Sequence, residues 1–137
     1  MVTNPFPGKL INFEGIDASG KTGAVTRLKN VISAFHLSSA DKVLFTKEPA
    51  TEHESGREIY EILKGRHPTL SVVNMHPFEM QSHYFRNRIW HYKNKVLPAL
   101  EKGRHVLSDR GIASMCFGIS SYDEFRPLIA IEEQAFL

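Results

Sequence analysis

A chain of 137 residues suffices for one domain with a single buried core. With 42% hydrophobic and 23% charged residues and a net charge of +2, the balance gives no reason to expect a nucleic-acid binder. One cysteine, Cys116, excludes an internal disulfide framework, and neither a signal-peptide core nor an apolar run of the roughly 20 residues a membrane helix needs is seen, so a soluble, cytoplasmic protein is expected.

The chain opens with a predicted strand, KLINFE (9–14). A turn bounded by glycines follows, and then a helix from Lys21 to about Phe35 with Ala24, Val25, Leu28, Val31, Ile32 and Phe35 as its apolar positions. KVLFT (42–46) reads as a second strand, apolar enough to be buried on both faces. Ser55 is placed to cap a helix running to about Lys64, which Gly65 terminates. RHPTLSVVNMHP reads as a loop or short helix. A long helical stretch runs from Phe78 to about Lys102, with a kink or break expected from Pro98 and a stop at Gly103. HVLS (105–108) is a third strand, followed at once by Asp109-Arg110. A short helical turn is expected near Ser114, and a last helix from Phe125 onward with Leu128, Ile129, Ile131, Ala135 and Phe136 apolar. Strands alternating with helices imply right-handed crossovers and a parallel sheet, here of about three strands. The chain ends on a helix where the alternation calls for another strand, so it is expected to be cut short at its C-terminal end.

Gly15-Ile16-Asp17-Ala18-Ser19-Gly20-Lys21-Thr22 satisfies the P-loop pattern, with the strand before it and the helix after it in place. The glycines let successive backbone N–H groups turn inward toward phosphate oxygens, and the helix start adds partial positive charge. In this motif Lys21 reaches the β- and γ-phosphates and the Thr22 hydroxyl is a Mg²⁺ ligand. Accidental agreement at the four fixed positions is expected in roughly one chain of this length in a few hundred. Asp109, at the end of an apolar strand, stands where P-loop enzymes hold Mg²⁺ with a second acidic residue. The carboxyl ends of parallel strands share one crevice, which would bring Asp109 near the loop. The competing explanation, an aspartate that merely turns the chain after a strand, is common.

Tyr84 and Arg88 lie four apart on the long helix and so share a face, an arrangement able to stack a base and grip a phosphate. A core aromatic beside a surface arginine is the commoner reason for such a pair. From Arg86 to Arg110 the basic residues Arg86, Arg88, Lys93, Lys95, Lys102, Arg104 and Arg110 face only Glu101 and Asp109, an excess that suits phosphate but also an ordinary solvated helix face. His76, His83 and His91 are seven and eight apart, roughly 10 Å or more along a helix, so no zinc site is expected from them.

Together these stretches resemble the thymidylate kinase family. The matching pieces are FEGIDASGKT, FTKEP (45–49), SGREIYEIL (55–63), YFRNRIWH (84–91), VLPALEKG (96–103), and VLSDR with Ala113-Ser114, in the family's order and spacing over most of residues 9 to 118. The resemblance implies an α/β fold of the P-loop NTPase type, a three-layer sandwich around a parallel sheet, and transfer of the γ-phosphoryl of MgATP to dTMP. It implies that Gly15, Ile16, Asp17, Ala18, Ser19, Gly20, Lys21 and Thr22 bind ATP, with Lys21, Asp109 and Arg110 catalytic. Thr22 and Asp109 would hold Mg²⁺, partly through water. The acceptor nucleotide would be held by Asp17, Lys47, Tyr84, Arg88 and Arg110, with Asp17 reaching the 3′-hydroxyl and Tyr84 stacking on the base. A homodimer through the helix around 78–102 is implied as well.

This sequence departs from the family pattern at several positions. Lys47 replaces an arginine, Asn87 an aspartate, and Gly111 an aromatic or histidine; Met115 and Gly118 stand where the base and sugar are often contacted. A methionine cannot make the directional hydrogen bonds that tell one base edge from another, so a different nucleoside monophosphate remains an alternative acceptor. The family's last two strands, mobile lid and adenine loop are not matched, and with no arginine in the P-loop a catalytic arginine is expected in that lid. A non-catalytic nucleotide-binding module is therefore the second reading. A P-loop GTPase is a weaker third, since no Asn-Lys-x-Asp motif is seen.

Overall fold

The computed structural model describes residues 5–34, 42–116 and 119–136, with side chains omitted at Met115 and beyond residue 130. The sequence expectations for Phe35, Gly118 and the side chains of Met115, Ile131, Ala135 and Phe136 lie outside the described set. The described chain divides into two compact units, residues 1–48 with 92–111 and residues 49–91 with 112–137.

The first unit is a three-stranded parallel sheet of order β1-β3-β2, with β1 Leu10–Phe13, β2 Val43–Lys47 and β3 His105–Asp109. Neighbouring residues in register point to the same face of the sheet. The row Leu10–Val106–Leu44 faces the apolar cluster of Val96, Ala99 and Leu100, supplied by a π-helical turn, Tyr92–Val96, and the short helix Leu97–Glu101 (α4). The row Ile11–Leu107–Phe45 lies on the other face, and a further pair of rows closes the sheet toward its carboxyl ends: Asn12–Ser108–Thr46, then Phe13–Asp109–Lys47. Only the central strand can be covered on both sides by its neighbours, so Val106, Leu107 and Ser108 are buried while β2 is half-buried throughout and ends exposed. The expectation of a buried second strand is thus corrected: KVLFT is apolar because it packs, but it is an edge. Helix α1, Lys21–Ala34, buries none of its side chains among the described residues.

In the second unit, α2 (Glu54–Leu63) is amphipathic and buries Ile59 and Ile62 against Met75 and Met80, with Leu70 and Tyr84 packed at the margin. Its N-cap is His53, whose Nδ1 accepts the Ser55 N–H at 3.3 Å. Ser55, expected as the cap, lies inside the first turn because its hydroxyl is drawn into a buried bond with Asn87 instead. Gly65, at φ 64°, occupies the left-handed position just past the helix, as expected of a terminating glycine. α3 spans Pro77–His91, and α5 spans Tyr122–Phe136 after a 3₁₀ turn at Ile112–Cys116.

The long helical stretch expected from Phe78 to about Lys102, with a kink or break, is α3, the π turn and α4 in succession. The irregular turn covers Asn94, four residues before Pro98, where the proline ring and missing N–H disfavour regular α-helix. No described helix is long and apolar enough to cross a membrane.

Candidate active site

The P-loop leaves β1 after Phe13 and delivers the chain into α1 at Lys21. Its conformation depends on left-handed backbone: Gly20 has φ 87°, and Ala18, with a side chain to accommodate, has φ 61°. Gly15 has φ 154°, a backbone conformation that residues with a side chain rarely adopt, and a Cβ there would also press on Ser19 Oγ at 2.9 Å. The loop is tied internally by Ser19 N–H donating to the Ile16 carbonyl at 3.3 Å. Lys21 Nζ folds back to donate to the same carbonyl at 2.5 Å and to Ser19 Oγ at 3.4 Å.

Two side-chain pairs join this loop to the end of β3. Thr22 Oγ1 donates to Asp109 Oδ2 at 2.6 Å. The guanidinium of Arg110 forms an ion pair with Asp17. The first juxtaposition follows from register, because Phe13, where the loop begins, pairs with Asp109. The same row places Lys47, exposed at the end of β2, beside Asp109. Lys21, Thr22, Asp17, Lys47, Asp109 and Arg110 are thus gathered at one end of one sheet, where an α/β fold presents its ligands.

The Asp109-Arg110 turn is held by its backbone. Glu48 N–H donates to the Asp109 carbonyl and Arg110 N–H to the Phe13 carbonyl, each at 3.0 Å. Arg110 has φ 78°, an uncommon conformation for a residue with a side chain, costing about 1–3 kcal/mol. Ser108, buried in the central strand, donates its hydroxyl to the Arg110 carbonyl at 2.8 Å. Gly111 is buried, and a Cβ there would fall on the side-chain amide of Asn12. Sequence reasoning missed Ser108 and Asn12. Their signal was a polar residue at matching positions of β1 and β3, one residue before Phe13 and Asp109.

Tyr84 and Arg88 belong to the second unit. Tyr84 is half-buried against the Ile59–Met80 cluster, and Arg88 is 1% exposed. The surface arginine of the commoner explanation is therefore not what is found, and burying a guanidinium is costly unless anionic or carbonyl partners meet it. Asn87, the departure beside it, has a clear structural task. Its Oδ1 accepts the Ala50 N–H at 2.7 Å, while Nδ2 donates to the Ala50 carbonyl at 3.1 Å and to Ser55 Oγ at 2.9 Å. His53 continues this network, touching Ser55 Oγ at 2.8 Å and stacking on Trp90 with ring centroids 4.7 Å apart.

The residues fit magnesium and a nucleotide. Two hard oxygens converge at Thr22 and Asp109, and Mg²⁺ is commonly bound by one or two protein oxygens, with substrate phosphates and water completing its shell.

Strand, phosphate loop and helix, with an acidic residue at the end of the adjacent strand, define an α/β protein of the P-loop nucleoside-triphosphate-binding type. The thymidylate kinase family model matches residues 13–121. A thymidylate kinase of Ligilactobacillus salivarius is 33% identical over 135 residues, covering 93% of this chain and 59% of that relative. One from Francisella tularensis subsp. novicida is 32% identical over 107 residues, covering 74% and 45%. Among solved structures, thymidylate kinase from Ehrlichia chaffeensis superposes with a TM-score of 0.75 at 21% identity, covering 93% of this chain and 69% of that one. The enzyme from Candida albicans gives 0.59 at 24%, covering 79% and 42%. These two likenesses bear on the fold. The chain belongs to the thymidylate kinase family, and it spans about half to three-fifths of the length of the curated relatives it matches.

Proposed function

We propose that this chain carries the site of a nucleoside monophosphate kinase that transfers the γ-phosphoryl group of MgATP to dTMP, giving dTDP and ADP. The observation that carries the reading is the pair of contacts at the sheet's carboxyl end, Thr22 with Asp109 and Asp17 with Arg110. One faces a magnesium triphosphate, and the other offers a cation and a hydroxyl acceptor to a second nucleotide.

On the donor side, the loop N–H groups and the start of α1 receive phosphate oxygens. Lys21 exchanges its neutral acceptors, the Ile16 carbonyl and Ser19 hydroxyl, for anionic phosphate oxygens. Thr22 and Asp109 are the residues that would hold Mg²⁺, which would supply positive charge against the phosphates as negative charge develops. On the acceptor side, Arg110 and Lys47 hold the 5′-phosphate and Asp17 takes the 3′-hydroxyl. Tyr84 and Arg88 are proposed for the base and its phosphate. A phosphate oxygen of the acceptor, already ionised, attacks the γ-phosphorus. The bond to the β–γ bridging oxygen breaks, and ADP leaves with that electron pair. No proton must be removed, so no general base is assigned.

The test is ADP release in a coupled assay, with dTMP, dUMP, dCMP and dGMP as acceptors and a control without acceptor. Turnover that depends on dTMP is expected. Binding of MgATP without turnover on any acceptor would replace this reading with that of a nucleotide-binding module. A homodimer through the region 78–102 and a cytoplasmic location complete the proposal, the first checked by sedimentation equilibrium.

A further inference from the structure

The geometry points to Ser108 as a positioning residue that sets the aim of Arg110, so that its hydroxyl governs affinity for the acceptor's phosphate without touching it. This rests on the acceptor role proposed for Arg110.

The rows Leu10–Val106–Leu44 and Ile11–Leu107–Phe45 are wholly apolar, yet the next row is Asn12–Ser108–Thr46. A buried serine in a central strand buries less apolar surface than a valine and brings a hydroxyl that must find a partner. Ser108, 2% exposed, gives that hydroxyl to the carbonyl of Arg110, two residues on. The arginine between its N–H bond to Phe13 and this carbonyl bond is pinned at both ends in a conformation that residues with side chains avoid. Releasing the carbonyl end lets the residue relax toward ordinary φ, which swings its Cα–Cβ direction. A long side chain magnifies that swing at the guanidinium, where it meets Asp17. Asn12 seals the far side by occupying the space beside Gly111, so the turn has little room to adapt in another way.

The experiment compares the full chain with Ser108→Ala and Ser108→Thr. Two readouts are taken: the backbone chemical shifts and couplings of Arg110 in selectively arginine-labelled protein, and the affinities for dTMP and for MgADP by calorimetry. In Ser108→Ala the Arg110 signals are expected to leave left-handed values and dTMP affinity to fall about tenfold, with MgADP within twofold. Ser108→Thr, which keeps the hydroxyl, is expected to match the original chain in both. Unchanged Arg110 signals in Ser108→Ala would overturn the proposal. So would an equal loss of dTMP and MgADP affinity, which is the mark of a general structural defect. Absence of dTMP binding by the unaltered chain would refute the substrate reading instead, while the Arg110 signals would still decide the role of Ser108.

Discussion

Gly111→Ala isolates the fit between the Asp109-Arg110 turn and β1. The added methyl would overlap the Asn12 carboxamide, its nearest neighbours being Asn12 Nδ2, Cγ and Oδ1, the last at 3.0 Å. No unusual backbone angle is required of residue 111, so the penalty is steric. Asn12 is half-buried with its Oδ1 enclosed, so the added methyl meets a carboxamide already held inside the protein. Overpacking of this kind costs about 1–3 kcal/mol. Truncating the neighbour by Asn12→Ala removes the three atoms nearest to the added methyl. The double variant should therefore recover most of the loss, with a coupling of about 1–2 kcal/mol between the sites. Urea unfolding of the original chain, both single variants and the double variant measures that coupling directly. Gly111→Ala within about 0.5 kcal/mol of the original would refute the steric account. A penalty that persists undiminished in the Asn12→Ala background would refute it equally.

Other perturbations separate binding from folding. Thr22→Ala should weaken MgATP binding about tenfold while leaving metal-free ATP binding nearly unchanged; equal losses with and without magnesium would remove Thr22 from the metal site. Asp17→Asn breaks a pair whose carboxylate is 83% exposed, so stability should move by less than about 1 kcal/mol while dTMP affinity falls; the reverse pattern in melting and calorimetry would make Asp17 a structural residue. Asn87→Ala strips the partners from both backbone groups of Ala50 and should cost about 2–4 kcal/mol by urea unfolding, an amount no surface residue would show. The hydrogen bond from Arg66 holds the Glu61 carboxyl below the usual glutamate range, with a smaller opposing effect from desolvation. The stabilisation from that pair is therefore present above the ordinary glutamate range and lost as pH falls through the lowered value. Carboxyl NMR titration should show the Glu61 midpoint rising to the ordinary range in Arg66→Gln, and a midpoint that does not move would deny the coupling.

The strand, loop and helix around residues 15–22 were legible because they are written in consecutive residues. Glycine, lysine and threonine at fixed spacing specify a loop geometry, and the strand and helix around it are local as well. Asp109 was legible one step further away, since parallel strands bring their carboxyl ends together and its strand could be recognised. What escaped depends on contacts between segments far apart in the chain. KVLFT does not say whether it is an edge or a centre, because apolar content reports packing and not position in the sheet. Ser55 resembles a cap, but Asn87, 32 residues away, claims its hydroxyl. The irregularity expected from Pro98 is found, but as a π turn over Tyr92–Val96, because a proline disturbs the helical turn before it.

The same distinction explains why the departures from the family pattern differ in consequence. Asn87 bonds both backbone groups of Ala50 with its amide, so whatever residue the resemblance would put there, the asparagine serves the scaffold. At Gly111, Asn12 occupies the space a side chain would need, so these two positions are understood only as a pair. Lys47 differs from both. It stands at the exposed end of an edge strand, in register with Asp109, where the loss of arginine's planar fork cannot be made up by packing. If one departure alters how the acceptor's phosphate is held, the position of Lys47 singles it out. Lys47→Arg is accordingly expected to tighten dTMP binding with little change in stability, and calorimetry showing no gain would place that residue outside the acceptor site.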